Sequence, residues 1–236
     1  MPAVLEAPTR WVLPDEIPPL ENGDHLSAAE FLRRYSAMPD VKKAELIQGI
    51  VYLMASPVRI DQHGQPDGMV QTWLGLYASQ TDGVKHATNS TMRMSPEDIP
   101  QPDGLLRVLP EHGGQSKVDA KGYLVGAPEL VVEIAASSAS VDTREKRTSY
   151  LRARVPEYLV WRTRDRAVDW WSLEDDEYVR LEPDANGTIR SRVFPGLWLS
   201  VSALIAENAA GVVACLQEGL ASEDHASFKA RLAAHS

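Results

Sequence analysis

Leu130-Val131-Val132-Glu133-Ile134 is the stretch on which the fold turns. Four of its five residues are apolar and three are β-branched. Such a run reads as a strand buried on both faces, the interior strand of a sheet covered by helices. Glu133 stands inside it. An ionised carboxylate left unpaired in an apolar setting costs several kcal/mol, so this residue needs a cation beside it unless the strand end reaches solvent.

Downstream, Asp142 and Glu145 have the spacing of a capping box, and a helix is expected from Thr143 to about Ala153, ending before Pro156. Tyr158 to Trp161 reads as the next strand. Val168 to Trp171 and Tyr178 to Leu181 flank Glu174-Asp175-Asp176, the pattern of an antiparallel hairpin with an acidic tip. After Phe194-Pro195-Gly196 the chain becomes alanine-rich, and residues 203 to 234 read as one or two terminal helices.

Upstream, Gln101-Pro102-Asp103-Gly104-Leu105-Leu106 opens a short strand, and Val84 to Met94 alternates weakly. The loop from Pro110 to Tyr123 is expected to be mobile. Met69, Val70, Trp73, Leu74 and Tyr77 recur at helical spacing within 68 to 79. Glu45-Leu46-Ile47 and Ile50 to Met54, joined by Gln48-Gly49, read as a hairpin, and Ser27 with Glu30 caps a short helix carrying Phe31, Leu32 and Tyr35. The prediction is an α/β fold, a central mixed β-sheet flanked by helices. It divides into an N-terminal arm (1–26), the main domain (27–205) and a C-terminal helical extension (206–236).

Composition narrows the function. The chain has 236 residues and a net charge of −9, within the roughly 250 residues that one core can serve. Its single cysteine, Cys215, excludes an intrachain disulfide and a cysteine-based zinc site, and points to a reducing, cytoplasmic setting. No uncharged run is longer than the 14 residues of Val193 to Ala206, short of the ~20 apolar residues that span a bilayer, so no membrane partner is expected. The proline-rich residues before Leu20 lack the basic-then-apolar order of a secretory signal. Overall acidity argues against a nucleic-acid-coated protein. Yet residues 144 to 166 hold eight Lys and Arg against three acids, a local excess that suits a phosphate backbone or, alternatively, a belt of surface ion pairs.

Asp103 offers a second carboxylate, after Pro102 and at a strand start. With Glu133 it supplies hard oxygen ligands suited to Mg²⁺ or Mn²⁺, the alternative being an Asx-turn. Lys146 and Tyr150 share a helix face one turn beyond the Glu133 strand, where a cation could stabilise phosphate charge. His63, a lone histidine at a helix start, reads as a cap or surface residue. Trp161, Trp170, Trp171 and Trp198 read as core.

Taken together, Glu45, Pro102-Asp103, Val132-Glu133-Ile134, Asp142, Lys146, Arg147, Tyr150 and Val155-Pro156-Glu157-Tyr158 resemble the restriction-endonuclease family known as Uma-two, within the PD-(D/E)XK nuclease superfamily. The resemblance runs from about Ala44 to Ile205. It implies a restriction-endonuclease-like fold and Mg²⁺- or Mn²⁺-dependent hydrolysis of DNA phosphodiester bonds. Asp103, Glu133 and the carbonyl of Ile134 would hold the metal. Lys146 would serve the attacking water, displaced to a helix because Ala135 stands at the superfamily's usual lysine position, and Glu45 would complete the site. Arg144, Arg147 and Tyr150 are the expected nucleic-acid contacts, and a homodimer would supply the two sites that a double-strand break needs. This chain has Ala135-Ala136-Ser137-Ser138-Ala139-Ser140 where the family commonly shows Leu-Ser-Pro-Ser. The competing expectation is a non-catalytic interaction module in which Glu133 is a structural ion-pair partner of Lys146 or Arg147.

Overall fold

A computed structural model describes residues 17–53, 59–136 and 141–235, at 141–143 the backbone only. Helix α1 (Ala28–Ser36) begins at Ser27, whose hydroxyl accepts from the Glu30 amide as the capping spacing requires. Strands β1 (Ala44–Ile47) and β2 (Ile50–Leu53) follow as an antiparallel pair. Their two-residue turn, Gln48-Gly49, has both φ angles positive, the conformation that matches strand twist. Part of the expected N-terminal arm is fixed to this hairpin. Gly23 donates to the Val51 carbonyl, Val51 to that of Asp24 and Leu26 to that of Gly49. Residues 1–16 of the arm and Met54 of the expected second strand lie outside the described residues.

A π-helical turn, Ile60–Gly64, leads into α2 (Gln65–Ser79). Then come β3 (Val84–Thr88), β4 (Met92–Arg93), β5 (Gly104–Val108), β6 (Lys117–Val118), β7 (Leu124–Val125) and β8 (Leu130–Ala135). The loop expected to be mobile between β5 and β7 is tethered: the Glu129 carboxylate accepts from the amides of Val108 and Gln115. A second π-helical turn, Val141–Lys146, runs into α3 (Arg147–Arg152). The rest is β9 (Glu157–Arg162), β10 (Ala167–Glu174), β11 (Glu177–Arg180), β12 (Thr188–Arg190), β13 (Trp198–Ser200), α4 (Val201–Ile205), α5 (Ala209–Leu220) and α6 (Glu223–Ala233).

Six strands form the central sheet in the order β11-β10-β9-β8-β5-β3. β8 and β9 are parallel and the other neighbours antiparallel, so the sheet is mixed. Every residue of β8 is buried. Leu130, Val132 and Ile134 face a core shared with Trp73, Leu74 and Tyr77 of α2. Val131 and Ala135 face a second core built on Tyr150, Tyr158 and Trp171. That two-sided burial is why the strand reads as an apolar run. Gly104 lets α2 come close, since a Cβ there would stand 2.9 Å from a Leu74 methyl.

The C-terminal helices number three among the described residues, preceded by the short β12–β13 pair that composition does not reveal. Their apolar residues Leu204, Val212, Leu216, Phe228 and Leu232 join the α2-side core. A fully buried side chain of this kind contributes roughly 1.5–3 kcal/mol, which ties these helices into the same folding unit. Trp161, Trp170 and Trp171 are buried as expected, and Trp198 is half-buried.

Candidate active site

Four charged side chains from four parts of the chain gather beside the β5–β8 pair of the sheet. Glu45, Asp103, Glu133 and Lys146 are 1%, 3%, 2% and 1% exposed. Lys146 is the hub. Its Nζ lies 2.9 Å from Glu133 Oε1 and 2.9 Å from Glu45 Oε2. Tyr150, one turn further along, donates to the same Glu133 oxygen at 2.8 Å. The wide turn that ends at Lys146 delivers its ammonium inward, so a residue type usually found in water is buried between two carboxylates. The capping role expected for Asp142 rests on a side chain outside the described residues, as does part of the serine-alanine segment 135–140.

Asp103 immediately precedes β5 and lies across from the C-terminal half of β8, because Gly104 pairs with Val132. Its Oδ2 accepts from the Ile134 amide at 2.8 Å, and its main-chain carbonyl accepts from Gln71 of α2 at 2.8 Å. Its other oxygen, Oδ1, is met by Lys43 Nζ at 2.9 Å. Burial pushes the Asp103 carboxyl up, but Lys43, His63 and Lys146 outweigh it and hold it below the ordinary carboxylate value. Burial likewise lowers Lys43, and Asp103, Glu45 and Glu133 more than restore it, leaving it raised. Tyr150 is held far above the ordinary phenol value, first by burial and then by Glu133.

Glu45 points in from β1. Its Oε1 accepts from the Gln101 amide at 2.7 Å, while its buried Oε2 has the Lys146 ammonium nearby but no well-formed hydrogen bond. The structure thus brings Glu45, Asp103, Glu133 and Lys146 together. It also adds two residues that sequence reading missed or undervalued. Lys43 stands two residues before Glu45, a spacing that puts both on one face of an extended segment. His63, read above as a cap or surface residue, has Nδ1 3.2 Å from the Ile134 carbonyl and Nε2 3.7 Å from Asp103 Oδ1.

The expected nucleic-acid contacts separate. Arg144 and Arg147 are exposed, and the Arg147 guanidinium lies 5.3 Å from the Trp171 ring centre. Tyr150 is fully buried against Glu133 and Tyr158 and presents nothing to a polymer. Elsewhere in the basic window, Arg154 pairs with Asp176 and Arg162 with Asp165 and Asp169, the surface-belt arrangement. Among the described residues no three His, Cys, Asp or Glu side chains are gathered as a ready metal cage. None of the described helices is long and apolar enough to cross a membrane.

Comparison with known proteins bears on the fold and the family. A crystal structure from Anabaena variabilis, titled "a putative nuclease belonging to DUF820", superposes with a TM-score of 0.55 at 14% identity, covering 75% of this chain and 97% of that one. At that identity the likeness establishes the fold alone, a restriction-endonuclease-like mixed sheet flanked by helices. No curated protein matches the chain. The family model Uma2, described as "Putative restriction endonuclease", matches residues 28–202, and the chain therefore belongs to the Uma2 family.

Proposed function

We propose that this protein is a divalent-metal-dependent nuclease that hydrolyses phosphodiester bonds of DNA. The observation that carries the reading is the buried Lys146 ammonium shared between Glu45 and Glu133, with Asp103 on the adjoining strand. A protein gains little stability from burying such a cluster compared with apolar residues of the same volume, so its presence calls for a chemical use.

The donor set fits a divalent cation. Among the described residues, the three carboxylates are met by the ammonium groups of Lys43 and Lys146, with His63 beside Asp103. The ammonium of Lys43 already occupies the Asp103 Oδ1 face, where positive charge is required. Asp103 and Glu133 would hold the ion. Bound there, a divalent cation lowers the pKa of a coordinated water and neutralises charge on the phosphoryl group. The protein's own contributions are positional. The Ile134 amide orients Asp103, Tyr150 orients Glu133, and Lys146 supplies a fixed positive charge in a site shielded from bulk water. Arg144 and Arg147, exposed on the same helical segment, are the side chains proposed to meet the phosphate backbone.

Nicking of supercoiled plasmid in Mg²⁺ or Mn²⁺, beside an RNA of matched sequence and a chelator control, tests the reading. Cleavage of DNA that disappears with chelator and with Glu133→Gln is expected. Cleavage unaffected by Glu133→Gln would overturn the assignment.

One observation favours a second reading, a nuclease-fold module without catalysis. Lys43 and Lys146 already pair with all three carboxylates, as a structural ion-pair network requires. Under that reading Glu133→Gln alters stability alone, and the parent cuts neither polymer.

A further inference from the structure

His63 carries a further assignment, one that rests on the metal-dependent reading above. It stands in the π-helical turn ahead of α2, its side chain 30% exposed. Its Nδ1 is 3.2 Å from the Ile134 carbonyl oxygen. A carbonyl can only accept, so the hydrogen-bond pattern assigns the ring proton to Nδ1. In the neutral ring Nε2 then carries the lone pair. That atom faces Asp103 Oδ1 at 3.7 Å, too far for a hydrogen bond. Asp103 Oδ1 is also the oxygen that Lys43 Nζ meets at 2.9 Å, so an ion seated between it and His63 Nε2 would displace that ammonium. With metal–ligand bonds of roughly 2.0–2.2 Å, two adjacent ligands of one ion stand about 2.8–3.6 Å apart, so the 3.7 Å gap needs only a small side-chain shift to close on an ion.

The surroundings are those of a metal-binding imidazole. Ligating histidines almost always donate the other ring N–H to a carboxylate, backbone carbonyl or water, which fixes tautomer and orientation. Here the Ile134 carbonyl takes that part, the same carbonyl that the family resemblance offers as a direct ligand. We propose that His63 Nε2 is a nitrogen ligand at the Asp103 side of the metal centre. An imidazole donor favours transition-metal ions over Mg²⁺, which prefers oxygen. The site therefore selects Mn²⁺ or Co²⁺ over Mg²⁺.

The test uses the full-length, chelator-treated protein loaded with Mn²⁺ alone. Electron spin-echo spectroscopy reads ¹⁴N coupled directly to bound Mn²⁺, and calorimetry reads affinity for Mn²⁺ and Mg²⁺. The parent is expected to show the directly bound ¹⁴N signal. His63→Ala is expected to lose that signal and to bind Mn²⁺ at least tenfold more weakly, with a smaller loss for Mg²⁺, and His63→Gln to behave alike. Mn²⁺ binding that Asp103→Asn abolishes, without a ¹⁴N signal in the parent, would overturn the His63 assignment and leave the carboxylate site standing. A ¹⁴N signal that persists in both His63 variants would also overturn it. Absence of Mn²⁺ binding, or binding indifferent to Asp103→Asn, would overturn this assignment and the metal-dependent reading together. Should both variants fail to fold, the parent's spectrum decides by itself.

Discussion

Lys43 and Asp103, sixty residues apart in the chain, form a 2.9 Å ion pair at the edge of the buried carboxylate cluster. The pair closes the one Asp103 oxygen that the backbone does not hold, since Oδ2 is taken by the Ile134 amide. An ion entering at Asp103 must compete with this ammonium. Lys43→Ala is therefore expected to bind Mn²⁺ about tenfold more tightly than the parent, measured by calorimetry. Affinity that falls instead would show that Lys43 assists the ion.

The same substitution has a pH signature. The Asp103 carboxyl is held below its ordinary value, so its pairing stabilises the fold above the unfolded pKa near 3.8, and that contribution is lost as pH falls through the folded value. Lys43→Ala shrinks it. The variant is expected to begin acid unfolding at a higher pH than the parent, followed by far-ultraviolet circular dichroism. Coincident acid transitions would mean that Lys43 contributes nothing to the Asp103 charge.

Removing Lys146 leaves Glu45 and Glu133 buried without their shared cation. Breaking a buried pair in this way costs roughly 3–5 kcal/mol, and Lys146→Ala is expected to lose that much in urea unfolding at pH 7. The loss should be smaller at pH 5, where a carboxylate can take up a proton instead, and smaller with saturating Mn²⁺. A loss under 1 kcal/mol at pH 7 would contradict the burial.

Tyr150→Phe deletes only the phenol that donates to Glu133. A hydrogen bond to a charged group contributes about 1.5–3 kcal/mol, and a loss at the lower end is expected because Lys146 still holds the same oxygen. Equal stability of parent and variant in urea titrations would show that the phenol adds nothing there.

Glu157 gives a prediction independent of the candidate site. Full burial raises its carboxyl to about 7 from 4.5, against the opposing hydrogen bonds from Ser191 and the amides of Arg192 and Val193. The folded protein thus holds this proton more tightly than the unfolded chain. The stabilisation is complete below pH 4.5 and disappears as pH rises through about 7. Glu157→Gln keeps an acceptor for both amides and has no proton to lose. Between pH 5 and 8 the parent should lose roughly 2–3 kcal/mol relative to this variant, read from urea midpoints, and parallel profiles would contradict it.

The elements were legible in the sequence where one local rule governed them. Apolar continuity marked β8, the Ser27-to-Glu30 spacing marked α1, Gln48-Gly49 marked the hairpin, and an acid inside a buried strand marked Glu133. What local rules could not give was the partner set. The β12–β13 pair is too short to carry a period, and the Val141–Lys146 turn departs from the 3.6-residue repeat by which helices are read. Tyr150 shares a helix face with Lys146, as its spacing requires, yet only packing on Tyr158 decides that this face is buried rather than offered to a polymer.

By itself, then, the chain determined a mixed α/β fold and marked Glu133, Asp103 and Lys146 by burial cost and spacing, whereas Glu45 was marked only by the family resemblance. Only the tertiary structure decided which cation meets which carboxylate. Lys43 reaches Asp103 across sixty residues and His63 meets Ile134 across 71. Electrostatic energy depends on distance in space, and strand order rather than chain order sets that distance.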